Sequence, residues 1–168
     1  MSTVLPIAAL AALALAGSLS RRSGSRAVRA PRGMRMASIE SGTLVYHGTG
    51  VEEEFQMLNG PAWISTSRAT AEKFSSWHDE GFRRVYTFKV KKRITGLLNI
   101  QSQADMKLLH EYLEPQWLES EYPQEISSAV CSLGFNGWHV PDNYGRGESD
   151  TMLCEPSMWL ELKIMETL

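Results

Sequence analysis

Three short stretches carry side chains that could act together on a ligand. Leu44-Val45-Tyr46-His47-Gly48-Thr49 leads two apolar residues into a histidine followed at once by glycine. That pattern reads as a short strand whose end presents an imidazole. The glycine beside it permits close approach of a flat or charged group to the main chain. Ala62-Trp63-Ile64 reads as a brief strand stopped by Ser65-Thr66-Ser67, any of whose hydroxyls could cap a helix over 68–77. A strand-to-helix corner of this kind offers amides and hydroxyls to a ligand, although capping alone explains the same residues. Glu148-Ser149-Asp150 brings two carboxylates up to a late apolar strand over 151–154. A histidine to hold a sugar hydroxyl, an open glycine backbone, a capped corner and a late carboxylate suit a nucleotide-sugar ligand. The same spacing fits an α+β domain with no ligand, in which His47 is simply structural.

These stretches need a scaffold, and the intervening sequence supplies its elements. Arg84–Val90 alternates apolar and polar residues as a strand does, and Leu97–Ile100 reads as the next strand. Residues 103–114 read as a helix with Met106, Leu109 and Leu113 on one face. A second helix over 124–133 ends at Gly134, which takes the usual position just past a helix. Asn136-Gly137 is a turn signal before a strand starting at Trp138, and residues 159–164 alternate as a last strand. Helices therefore fall among about six short strands, without a regular βαβ repeat. The expected class is α+β, with mostly antiparallel strands and helices packed on them. There is no internal repeat, no GxGxxG and no phosphate-binding P-loop pattern.

The 168 residues suit one domain with a real core. The formal charge of −2 is unevenly spread. Residues 1–42 hold six Arg and one acid, Glu40, which leaves residues 43–168 at −7. An acidic folded part is a poor match for nucleic acid, which needs clustered cations. The run Lys89-Val90-Lys91-Lys92-Arg93 reads as a solvated strand end. Cys131 and Cys154 each have an apolar neighbour and form no disulfide framework; they are expected to be buried free thiols in a reducing compartment. The His78-Asp79-Glu80 turn is not expected to hold a metal, because adjacent side chains rarely converge on one ion.

Residues 1–42 read as a presequence outside the fold. Pro6 to Gly17 is apolar but short for a bilayer span, and an Arg-, Ser- and Ala-rich segment follows it. That order matches a bipartite presequence for plastids with extra membranes. A mitochondrial presequence, a secretory signal and a disordered tail behind a hydrophobic anchor are the alternatives. Processing near Met36-Ala37 would leave a mature domain over about 43–168, without a membrane segment and expected to be a monomer.

The ordered succession of motifs resembles the ADP-ribosyltransferase fold family, in its diphtheria-toxin-like and poly(ADP-ribose)-polymerase-like branch. The residues that carry it are Tyr46-His47-Gly48-Thr49 and Trp63-Ile64-Ser65-Thr66-Ser67 with its Ala- and Phe-bearing helix. Val85–Val90, Leu97–Ile100, Phe135-Asn136-Gly137-Trp138 and the stretch from Asp150 to Pro156 continue it, so the resemblance spans about residues 43–164. It implies a split, mostly antiparallel sheet with NAD as substrate in the cleft. It implies that His47 bonds the adenosine-side ribose, that Gly48 main-chain groups hold the nicotinamide carboxamide, and that Thr49 supports that strand end. Ser65 and Thr66 would lie at the nicotinamide side, and Phe74 against the ring. The implied reaction transfers ADP-ribose from NAD to an unidentified acceptor, a protein among the candidates, and releases nicotinamide. The catalytic carboxylate would be Asp150, with Glu148 two residues upstream. Members usually carry Glu at that position, and often Tyr where this chain has Ile64 and Phe74. These departures favour mono-ADP-ribosylation over polymer formation. They also leave open a catalytically silent module that binds NAD, ADP-ribose or a protein. A related RNA 2′-phosphotransferase would want more basic residues around the cleft.

Overall fold

The computed structural model describes residues 29–50, 54–76, 82–113, 123–141 and 149–168. Eight strands run in chain order: β1 (Arg35–Ile39), β2 (Leu44–Thr49), β3 (Ala62–Ser65), β4 (Arg84–Val90), β5 (Ile94–Asn99), β6 (Gly137–Val140), β7 (Asp150–Leu153) and β8 (Leu160–Thr167). Among the described residues three α-helices fall between them: α1 (Arg68–Ser75), α2 (Gln103–Tyr112) and α3 (Pro123–Ser132). The strands form one sheet in the order β1-β5-β6-β7-β3-β2-β4-β8. Every neighbouring pair is antiparallel except β5 and β6. The α+β class read from the sequence is the class of the fold.

Side chains alternate between the faces of a strand, and paired residues share a face. Leu98, Trp138 and Met152 follow one another across β5, β6 and β7 on one face. They pack with Leu109 of α2 and with Ile126, Ala129 and Val130 of α3. The opposite face gathers Val45, Ile64, Tyr86, Phe88, Leu97 and Leu153, covered in part by Leu58 and Phe55. Each such side chain contributes about 1.5–3 kcal/mol by leaving water.

Local chemistry sets the helix ends. Ser67 is the cap of α1, its hydroxyl accepting from the Thr70 amide at 3.2 Å. Ser102 caps α2 in the same way through the Asp105 amide. Gly134, with φ of +89°, follows α3 and donates its amide to the Cys131 carbonyl at 3.0 Å. That left-handed conformation is one that glycine adopts without a steric penalty.

The fold departs from the sequence expectations at three points. Residues 35–39 form edge strand β1, paired with β5 from Arg35↔Asn99 to Ile39↔Ile94. The folded unit therefore begins before Thr43, and cleavage at Met36-Ala37 would fall inside a strand. Residues 1–28 lie outside the described part. Asn136-Gly137 closes no hairpin: it joins α3 to β6, which lies parallel to β5, and the Asn136 side-chain Nδ2 donates to the Thr95 carbonyl at 2.7 Å. Cys131 and Cys154 are not free thiols. They form a disulfide, with Cα atoms 5.5 Å apart, between the end of α3 and the residue after β7.

The disulfide closes a separation of 23 residues. Closing a loop of that size removes about 3 kcal/mol of unfolded-chain entropy at 25 °C. The Cys131→Ser/Cys154→Ser double variant is therefore expected to melt on the order of 10 °C below the oxidised protein in a calorimetric scan. Adding a thiol reductant should move the wild-type melt by a similar amount and leave the double variant where it is.

Candidate functional site

The three motifs stand on three neighbouring strands, β7-β3-β2. The junction of β2 and β3 is the weak seam of the sheet, because its ladder holds one residue pair, Tyr46↔Ser65. By contrast, β2 pairs with β4 along six positions, and β3 with β7 along four. The sheet is split at this seam.

His47 faces the seam from β2. Its Nδ1 lies 2.7 Å from the Trp63 carbonyl oxygen of β3. A carbonyl only accepts, so Nδ1 carries the hydrogen and the neutral ring presents Nε2 as an acceptor. Burial pushes the His47 pKa below its usual 6.5, and the bond to Trp63 offsets part of that shift. The imidazole is thus fixed in one tautomer, able to accept from a hydroxyl.

Gly48 has a packing reason that the sequence reading did not contain. A Cβ there would collide with the Ala71 carbonyl oxygen of α1 and come within 3.0 Å of the Ser75 amide nitrogen. The glycine lets helix α1 lie directly on β2, and Thr70, Ala71 and Ser75 form the buried side of that helix. Thr49 is buried beside Arg84 on β4. Phe74 is half-buried on α1, next to the residues that meet β2.

At the β3–α1 corner the hydroxyls are largely used within the protein. Ser65 Oγ donates to the Ser149 carbonyl at 3.0 Å and accepts from the Ser67 amide at 3.1 Å. The Thr66 amide donates to the same Ser149 carbonyl at 3.2 Å, and the Thr66 and Ser149 hydroxyls are 2.6 Å apart. Ser65 is 2% exposed, whereas Thr66 is exposed and stays accessible to a ligand. These bonds tie the corner to the residue before Asp150.

Asp150 opens β7 and is buried, paired with Ser65 on one side and Val140 on the other. It therefore shares the helix-covered face with Ser65, Trp63 and Tyr46. His47 points the other way, on the face of Ile64 and Tyr86. The register brings Asp150 and Ser65 together. It sets His47 two strands away, about 10 Å from Asp150 on the opposite face. Glu148 lies outside the described residues, as do His78, Asp79 and Glu80. Among the described residues no group of three His, Cys, Asp or Glu side chains converges as a metal site. No described helix is long and apolar enough to cross a membrane.

Four residues join this region without a signal in the sequence. Phe55 stacks on Tyr86 with ring centroids 4.0 Å apart, and meets the His47 ring edge-on at 5.7 Å. His139 Nδ1 lies 2.7 Å from Thr151 Oγ1 on the same face, and burial lowers the His139 pKa below 6.5. Their common face is a consequence of strand register, which residue types alone do not specify.

No family model matches the chain, and no curated protein matches its sequence. Among solved structures, it is similar to a chain of the M. tuberculosis MbcT-MbcA toxin-antitoxin complex. That match has a TM-score of 0.49 at 16% identity and covers 78% of this chain and 86% of that one.

Two outcomes test this geometry. His47 and His139 both have folded pKa values below 6.5, so between those values and 6.5 the unfolded chain binds more protons than the fold. Their contribution to stability is complete above pH 6.5 and is lost as the pH falls below it. Thermal melts should show a lower Tm near pH 5 than near pH 7.5, with a shallower slope in His47→Asn and His139→Gln variants; parallel slopes would contradict the assignment. Gly48→Ala should cost about 2–3 kcal/mol or more in a denaturant titration, because the new methyl meets backbone and not a flexible side chain.

Proposed function

We propose that the chain is an NAD-dependent mono-ADP-ribosyltransferase of the ADP-ribosyltransferase fold family, with NAD bound at the seam between β2 and β3. One observation carries this reading. Motifs separated by about a hundred positions in sequence stand on three adjacent strands, in the order Asp150, Trp63–Ser67, His47–Thr49, around the single-pair seam between β2 and β3. The tautomer fixed by the Trp63 carbonyl supports His47 as acceptor for a ribose hydroxyl. Thr66 is the accessible hydroxyl of the corner.

The reaction breaks the bond between ribose C1′ and the nicotinamide nitrogen. The electron pair leaves with neutral nicotinamide, and an acceptor nucleophile attacks C1′ and loses its proton. The developing oxocarbenium charge calls for a carboxylate close by. Asp150 is that group in this reading, with Glu148 the second candidate. A protein side chain is the first acceptor to try.

A second reading has an observation of its own. Asp150 is buried and shares the face opposite His47, which favours a module of this fold that binds NAD or ADP-ribose without turnover. For localisation, the Cys131–Cys154 disulfide favours an oxidising compartment. Of the routes considered for the N-terminal segment, the secretory pathway agrees with that better than a reducing plastid stroma.

Calorimetric titration of the oxidised protein with NAD, run beside a nicotinamide-release assay, separates the readings. The transferase is expected to bind and release. Asp150→Asn should then lower release by about a hundredfold while keeping binding. His47→Ala should weaken NAD binding roughly tenfold. Binding without release selects the silent module, and no binding by folded protein rejects both.

A further inference from the structure

Transfer of ADP-ribose leaves one proton without a destination. An acceptor O–H or N–H that attacks ribose C1′ must give up its hydrogen, and a positioned base speeds that loss. Asp150 is buried on the helix-covered face. The His47 ring is tied through Nδ1 to the Trp63 carbonyl, two strands away from β7. At the start of β7 the residue on the His47 face is Thr151, whose partner on β3 is Ile64.

Register sets Asn99, His139, Thr151 and Ile64 in one row across β5, β6, β7 and β3, all on the His47 face. Neighbours in such a row are about 5 Å apart at the backbone. His139 Nδ1 lies 2.7 Å from Thr151 Oγ1. Thr151 is buried and so held in place by packing, whereas His139 is half-buried. Burial lowers the His139 pKa below 6.5, so the resting ring is neutral near pH 7 and able to take a proton. On its other side stands Asn99, whose enclosed Oδ1 has no hydrogen-bond partner among the described residues. Enclosed polar atoms are nearly always bonded, so this one calls for a donor. A neutral imidazole has one N–H and an imidazolium has two. The row thus flanks His139 with two acceptor oxygens, Thr151 Oγ1 and Asn99 Oδ1, which is one more than the neutral ring can satisfy.

We propose that His139 is the base that takes the proton of the acceptor, and that Thr151 is the positioning residue that aims its ring. The inference rests on the NAD reading, in which ribose C1′ lies at the start of β7. In the step, His139 Nδ1–H donates to Thr151 Oγ1, and the lone pair of Nε2 receives the proton. The acceptor oxygen or nitrogen uses its own lone pair to form the bond to C1′. The bond from C1′ to nicotinamide breaks, and its electron pair leaves with the neutral nicotinamide. The imidazolium is held by Thr151 and Asn99 until it returns the proton to water. His139 and His47 stand three strands apart on one face, about 14 Å. The acceptor therefore enters from the β6 side and NAD from the β2 side.

The test uses full-length oxidised protein, with water and azide as the acceptors supplied. Water must lose a proton when it attacks C1′, and azide, already an anion, need not. Nicotinamide release into water should fall about a hundredfold in His139→Gln, the scale of a lost general base. Calorimetry should find NAD affinity little changed in the same variant. Azide should restore most of the lost release in His139→Gln, with ADP-ribosyl azide as product, and should change the wild-type rate far less. Thr151→Val should lower kcat about tenfold at unchanged KM for NAD, because the ring loses its orienting bond. Thr151→Ser keeps the hydroxyl and should recover that loss, and this pair decides the matter if His139→Gln unfolds. Wild-type release by His139→Gln, or a loss that azide does not restore, overturns the base and leaves the transferase standing. NAD binding by wild type without release into either acceptor overturns the base in favour of the silent module. If folded wild type does not bind NAD, the base and the NAD reading both fall.

Discussion

Residue 48 has no room for a Cβ, and the arrangement of the sheet follows from that contact. β3 runs into α1 through only two residues, Thr66 and Ser67, and the helix must cross directly onto the next strand, β2. It can do so because Gly48 lets the Ala71 carbonyl approach the β2 backbone. The tight corner holds β3 against β2 at Tyr46↔Ser65, and the two strands pair at no other position. The Trp63 carbonyl, beyond that pair, takes its hydrogen from the His47 ring. The split, the helix position and the histidine tautomer are thus three aspects of one packing solution.

The same register divides the polar groups between two environments. One face carries Asp150 and Ser65 under the helical layer, where the Ser149 carbonyl ties the corner to β7. The other carries His47 and Tyr86, with Phe55 over both rings, and the hydrogen-bonded pair Thr151 and His139. Strand periodicity is two, so residues that read as one site along the chain separate by face wherever their positions differ by one.

The covalent link adds a second constraint. Cys131 lies in the last turn of α3 and Cys154 follows β7, so the disulfide fixes that helix against the strand that begins at Asp150. Edge strand β1 closes the same half of the sheet through β5. Its sequence, Arg35-Met36-Ala37-Ser38-Ile39, is exposed at three of five positions. Nothing local marks it as a strand, and it forms because β5 presents an unpaired edge to a chain of the right reach.

Residue types and spacing alone determined the helices and most strands. Alternation marked β4, the 3.6 period marked α2, and Ser67 and Gly134 marked helix ends, because these signals act over a few residues. They also placed His47, Ser65 and Asp150 at strand ends, and hence the α+β class. Tertiary structure decided what local signals cannot carry. It paired Cys131 with Cys154, turned His47 and Asp150 to opposite faces, set Phe55 on Tyr86, and gave Gly48 to a helix contact. Each of these depends on register between strands distant in sequence, and register is fixed by the packing of the whole sheet.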